Sequence, residues 1–121
     1  MFNWFQHKKY PQFWNDYLSH FKRKKEHEFN KIRFVVFDTE TTGLNTSTDK
    51  ILSIGAIAII GNVINVADSF ECYLIQKEFN VKTVAIHGIL KEGSISKIEE
   101  KEAIIQFLAY VKDAVIVAHH A

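Results

Sequence analysis

Two carboxylates, Asp38 and Glu40, stand one residue apart directly after the β-branched and aromatic run Ile32-Arg33-Phe34-Val35-Val36-Phe37. In an extended chain a spacing of two puts both side chains on one face. At the end of a buried strand such hard oxygen ligands can hold Mg²⁺ or Mn²⁺, and one carboxylate can bridge two ions about 4 Å apart. Two ions so held activate a water and neutralise a leaving oxygen. Thr41, Thr42 and Gly43 follow, offering hydroxyls and backbone N–H groups, with the glycine letting a substrate backbone approach closely. Taken alone, an Asp-x-Glu also reads as a turn aspartate and a solvated loop charge.

The elements that must position these residues are legible in the pattern around them. Residues 32–37 read as a buried strand ending abruptly at Asp38. Residues 39–50 have the Thr, Gly, Asn, Ser and Asp content of a loop. Residues 51–60 are apolar on both faces, as a central strand covered on both sides would be. Gly61-Asn62 is a two-residue hairpin signal. After it, residues 63–75 alternate, with Phe70, Cys72 and Leu74 on one side and Ser69, Glu71 and Tyr73 on the other.

Residues 76–95 are a polar connection enclosing the apolar stretch 84–90, expected as a short helix or turn against the sheet. Ser96-Lys97-Ile98-Glu99 has capping-box spacing and predicts the start of a helix with Ile104, Ile105, Leu108 and Val111 as its buried stripe. Residues 114–118 predict a fourth buried strand.

Ahead of all this lies a basic, aromatic-rich leader, taken as residues 1–31, with a helix expected over residues 12–27 and Lys22 to Lys25 as its charged last turn. Its stripe of Phe13, Trp14, Tyr17, Leu18 and Phe21 suits docking on its own domain. Interleaved with cations and with Trp4 and Tyr10, the same rings suit stacking on single-stranded nucleic acid.

Charge follows this division. Residues 1–31 carry a net +4 and the remaining chain a net −3, although the total is only +1. With 121 residues, 47% hydrophobic and 24% charged, the chain suits one globular domain and excludes collagen-like and disordered classes. No apolar run is long enough to span a membrane, and no secretory signal is evident. The single cysteine, Cys72, permits no internal disulfide and no cysteine-based zinc site, in keeping with a reducing, cytoplasmic setting.

The string Phe37-Asp38-Thr39-Glu40-Thr41-Thr42-Gly43-Leu44 resembles the first motif of the DnaQ-like exonucleases, the proofreading-type 3′–5′ enzymes of the DEDD superfamily. The resemblance continues in order through Lys50-Ile51-Leu52-Ser53-Ile54-Gly55-Ala56, Ala85-Ile86-His87-Gly88-Ile89 and Val117-Ala118-His119-His120-Ala121, and covers residues 33–121. It implies a ribonuclease H-like α/β fold. The mixed sheet would have order 3-2-1-4-5, its first three strands antiparallel and strands one and four parallel neighbours, with helices on its flanks.

It further implies that Asp38 and Glu40 bind two catalytic Mg²⁺ or Mn²⁺ ions. Thr41 and Leu44 would meet the 3′-terminal nucleotide, at its hydroxyl and its base, while Thr39, Thr42, Gly43, His87 and Gly88 would line its pocket. His119 and His120 match the start of the second motif and would shape the site.

The implied substrate is a single-stranded or frayed 3′ end of DNA, with RNA also open, and the implied partner a DNA polymerase or another replication or repair protein. The family's third and fourth metal carboxylates, and its general-base histidine or tyrosine, have no counterpart before Ala121. Residues 32–121 are therefore expected to form an incomplete exonuclease domain, inactive and marginally stable by itself, with the fifth strand and the carboxyl-terminal helices lacking. The alternative is a nonenzymatic module that binds nucleic acid or protein.

Overall fold

A computed structural model describes residues 9–77 and 95–119 of the chain. The elements are helix α1 (Gln12–Ser19), strands β1 (Phe34–Thr41), β2 (Ile51–Ile60) and β3 (Val63–Tyr73), helix α2 (Glu100–Val111) and strand β4 (Val115–Val117). The expected segment 84–90 lies outside the described residues.

The strands form one mixed sheet in the order β3-β2-β1-β4. β1 pairs antiparallel with β2 and parallel with β4, and β2 pairs antiparallel with β3. This is the expected ribonuclease H-like arrangement for its first four strands, and no fifth strand occurs among the described residues. The β2–β3 turn uses Gly61 (φ 58°) and Asn62 (φ 64°). Positive φ at both central positions matches the right-handed twist of the flanking strands.

α2 covers one face of the sheet. Phe107 meets Phe37 of β1 and Phe70 of β3, with ring centroids 5.3 and 5.8 Å apart. Beneath it Ile54, Cys72, Leu74 and Ala103 form the buried cluster, with Ile51, Ile98 and Ile104 against its rim. Burial pushes the Cys72 thiol above its ordinary range, as a core position would. Of the expected helical stripe only Val111 is fully buried. Ile105 and Leu108 instead line a small cleft shared with Phe13 and Tyr17 of α1.

Four sequence expectations are corrected. The fourth strand, expected to be buried, exposes Val115, Ile116 and Val117, because β4 is the edge of the sheet among the described residues. β1 does not stop at Asp38 but runs through Thr41, because residues 51–55 of β2 pair with residues 38–41, with a register shift between Glu40 and Thr41. Tertiary pairing here overrides the low strand propensity of Asp and Glu. The leader helix is shorter than residues 12–27. After Ser19 the chain makes one 3₁₀ turn, His20–Lys22, and is extended at Arg23, so Lys24 and Lys25 follow the helix instead of ending it.

The capping box at Ser96 is not formed. α2 starts at Glu100 with no side-chain cap, and Ile98 is drawn into a bridge beside Leu74. Its N–H donates to the Tyr73 carbonyl and its carbonyl accepts from the Ile75 N–H, both at 2.9 Å. Two such bonds hold Ile98 extended, which excludes the helical turn that the box needs.

Candidate active site

The sheet face opposite α2 carries the carboxylates. Along β1 the side chains alternate, so Val35, Phe37 and Thr39 face the helix side while Val36, Asp38 and Glu40 face the other. Asp38 and Glu40 are both exposed and Thr39 between them is half-buried. The expected sharing of one face therefore holds, within a paired strand instead of past its end.

Asp38 lies opposite Gly55 of β2, and Gly55 lies opposite Glu71 of β3. Nothing comes within 4 Å of the place where a Gly55 side chain would begin. The row Asp38–Gly55–Glu71 thus leaves an opening in the sheet surface. It belongs to an open cleft of about 650 Å³ lined also by Val36, Ile57, Ser69 and His119. Glu71 accepts a hydrogen bond of 2.8 Å from the Tyr73 hydroxyl, which, with burial, raises the Tyr73 pKa. The alternation in the sequence assigned Glu71 to the polar face of β3, but only the register places it across from Asp38.

Beyond β1 the chain folds into a loop closed by Asp49, which lies outside the motif. Asp49 Oδ1 accepts from the Thr42 hydroxyl at 2.9 Å, and Asp49 Oδ2 accepts from the Asn45 N–H at 2.8 Å. The Thr42 hydroxyl also accepts from the Lys50 N–H, and the Thr42 N–H donates to the Lys50 carbonyl, both at 2.9 Å. Thr42 therefore spends both its donors inside the loop.

Gly43 is needed for the same reason. A Cβ there would fall 2.5 Å from Asp49 Oδ2, so the group that approaches this glycine closely is the loop's own carboxylate. Asp and Asn in turn-rich stretches commonly make such local bonds, and that is the one signal that could have pointed to Asp49.

Two side chains at the start of the loop, Thr41 at the end of β1 and Leu44, are turned to other uses. The Thr41 hydroxyl donates to the Gly43 carbonyl at 2.7 Å, which leaves its oxygen lone pairs to accept. Leu44 is 97% exposed, so it packs on nothing. His119 stands at the cleft with Asp38, whereas His87, Gly88 and His120 lie outside the described residues.

Asp38 and Glu40 suit a hard divalent cation, since Mg²⁺ is commonly held by one or two carboxylates with water and substrate phosphate completing its shell. Among the described residues, no three His, Cys, Asp or Glu side chains converge as a metal cluster.

The sheet order defines a ribonuclease H-like fold, with Asp38 and Glu40 on the sheet face opposite α2. The family model described as an exonuclease matches residues 35–121, and the chain belongs to that family. It is 36% identical over 94 residues to the DNA polymerase III PolC-type of Thermotoga maritima, an alignment covering 77% of this chain and 7% of that protein. It is 32% identical over 99 residues to the DNA polymerase III subunit epsilon of Buchnera aphidicola, covering 76% of this chain and 41% of that one.

The crystal structure of cell-death related nuclease 4 superposes with a TM-score of 0.61 over 74% of this chain and 35% of that one. At 16% identity this likeness concerns the fold alone.

Proposed function

We propose that the protein hydrolyses phosphodiesters one at a time from the 3′ end of DNA, as a proofreading or repair nuclease working beside a DNA polymerase in the cytoplasm. The observation that carries this reading is the placement of Asp38 and Glu40 on one open face, next to a loop that presents Leu44 fully to solvent. Membership of the exonuclease family and similarity to DNA polymerase III proteins support it.

Asp38 and Glu40 would hold a pair of Mg²⁺ or Mn²⁺ ions. Metal bound there supplies an activated water and neutralises the departing 3′ oxygen. The remaining work falls to the chain. The Thr41 hydroxyl, its own proton engaged by the Gly43 carbonyl, is set to accept a hydrogen bond from the terminal 3′-hydroxyl. Leu44, with no partner of its own, offers an apolar surface to the terminal base. Gly55 keeps the face beside Asp38 low, so that a sugar-phosphate backbone can settle against the strand.

Asp38→Ala in the intact protein tests the assignment. Cleavage of a 3′-labelled single-stranded oligonucleotide in Mg²⁺ should fall to background while the circular dichroism spectrum is unchanged. Activity that survives this substitution removes the carboxylate assignment. A wild-type protein that binds the oligonucleotide without cleaving it favours the nonenzymatic module instead.

A further inference from the structure

The family match begins at residue 35, so it leaves the leader unexplained. There Lys22, Arg23, Lys24 and Lys25 are consecutive and exposed. None of the four forms an ion pair among the described residues, whereas Lys31 pairs with Glu28 and Arg33 with Asp68. The chain is extended at Arg23 (φ −77°, ψ 158°), and successive side chains of an extended segment point apart.

Arg23 and Lys25 accordingly line a cleft of about 340 Å³ with Phe21, Lys31 and Arg33. Two carboxylates also border it, Asp113 and Glu26. Glu26 is engaged by its own backbone, accepting from the N–H groups of His27 and Glu28 at 2.9 Å each, which holds its carboxyl below the usual range.

Four adjacent like charges repel one another unless a counter-charge arrives. The run is also bracketed by aromatic rings, with Phe21 42% and Phe29 66% exposed. A single-stranded nucleic acid answers both features, its phosphates meeting the cations and its bases stacking on the rings. An anionic lipid surface or an acidic protein also answers the charge, but cations flanked by rings on one short segment match the joined phosphates and bases of a strand.

We propose that residues 21–29 form a second nucleic-acid contact, which holds the body of a single strand whose 3′ end lies at Asp38 and Glu40. The position of that end rests on the nuclease reading above, but binding by the leader does not. Arg33 at the cleft precedes Asp38 by five residues of nearly extended chain, about 17 Å at about 3.3 Å per residue. At about 3.4 Å per stacked nucleotide, a stacked strand needs about five nucleotides to reach from one to the other.

The test compares the intact wild-type protein with its Lys22→Gln/Arg23→Gln/Lys24→Gln/Lys25→Gln variant, both checked for folding by circular dichroism. Fluorescence anisotropy would read binding of a 20-nucleotide and a 3-nucleotide single-stranded DNA across a salt series, in EDTA to prevent cleavage. The variant should lose tenfold or more in affinity for the 20-mer at low salt, with its salt slope shallower by about two to three, and the loss should be confined to the longer strand.

Equal affinities and slopes for the 20-mer would overturn the proposal. So would an unchanged 20-mer affinity accompanied by lost binding to phosphatidylserine vesicles, which would assign the patch to lipid. If the 20-mer loss occurs in a protein whose Asp38→Ala variant still cleaves, the second contact stands and the carboxylate site falls.

Discussion

At Gly43 the need for glycine arises within the loop. The Asp49 carboxylate occupies the space where a side chain would begin, and it is fixed there by the Thr42 hydroxyl and the Asn45 N–H. Gly43→Ala must therefore displace Asp49 and sacrifice those bonds, while Asp49→Ala loses the bonds but makes room for the methyl group. Each single change should cost about 1–2 kcal/mol. Because they disrupt one contact, the double variant should cost clearly less than their sum, by about 0.5–2 kcal/mol. Urea unfolding of the four proteins checks this, and simple additivity would dissociate Gly43 from Asp49. Asp38 and Glu40 were readable in the sequence because a spacing of two encodes a shared face. Asp49 was not, since its role depends on how the chain returns to Thr42, seven residues earlier.

Among the elements, the sheet was the more legible part. Alternation marked β3, continuous apolarity marked β2, and Gly61-Asn62 marked the turn between them. Element ends were less so, because partners elsewhere decide them: β2 prolongs β1 past Asp38, and β3 captures Ile98 ahead of α2. The far end of α2 carries a strain that the sequence does not announce. Lys112 is its C-cap at φ 52° and ψ −124°, while its N–H still donates to the Leu108 carbonyl at 3.0 Å. A residue with a Cβ is costly at positive φ, and glycine is the usual choice at a helix end that turns this way. Lys112→Gly should stabilise the protein by about 1 kcal/mol despite the added freedom of the unfolded chain. A midpoint of urea unfolding shifted upward, with an unchanged slope, is the expected reading.

Across the whole molecule, one polar clamp ties the sheet to its helix at the end remote from the carboxylates. Between Ile57 and Ala58 the β2–β3 register jumps, leaving residues 66–68 of β3 unmatched, and this bulge brings Asp68 to Arg33. Arg33 Nε and Nη2 each donate to an Asp68 carboxylate oxygen at 2.9 Å, and Nη1 donates to the carbonyls of Tyr110 and Val111 at 3.0 and 3.2 Å. The guanidinium also lies 4.7 Å from the Tyr110 ring centre, while the Tyr110 hydroxyl donates to the Asp68 carbonyl at 2.7 Å. Thus the chain entering β1, the bulge of β3 and the C-terminal turn of α2 are joined through one side chain.

The hydrogen bonds from Arg33 hold the Asp68 carboxyl below its ordinary range. A carboxylate whose pKa is lower folded than unfolded adds stability that is present above the unfolded value and disappears as pH falls through the folded one. Asp68→Asn removes that charge, and with the pair partly exposed the cost near neutral pH should be about 1–2 kcal/mol. As the pH is lowered past the ordinary carboxylate range, the wild type must approach the variant, because its own Asp68 becomes neutral. Unfolding free energies measured on both proteins from neutral pH downward should therefore converge. A gap that stayed constant with pH would mean that the clamp acts through shape and not through charge.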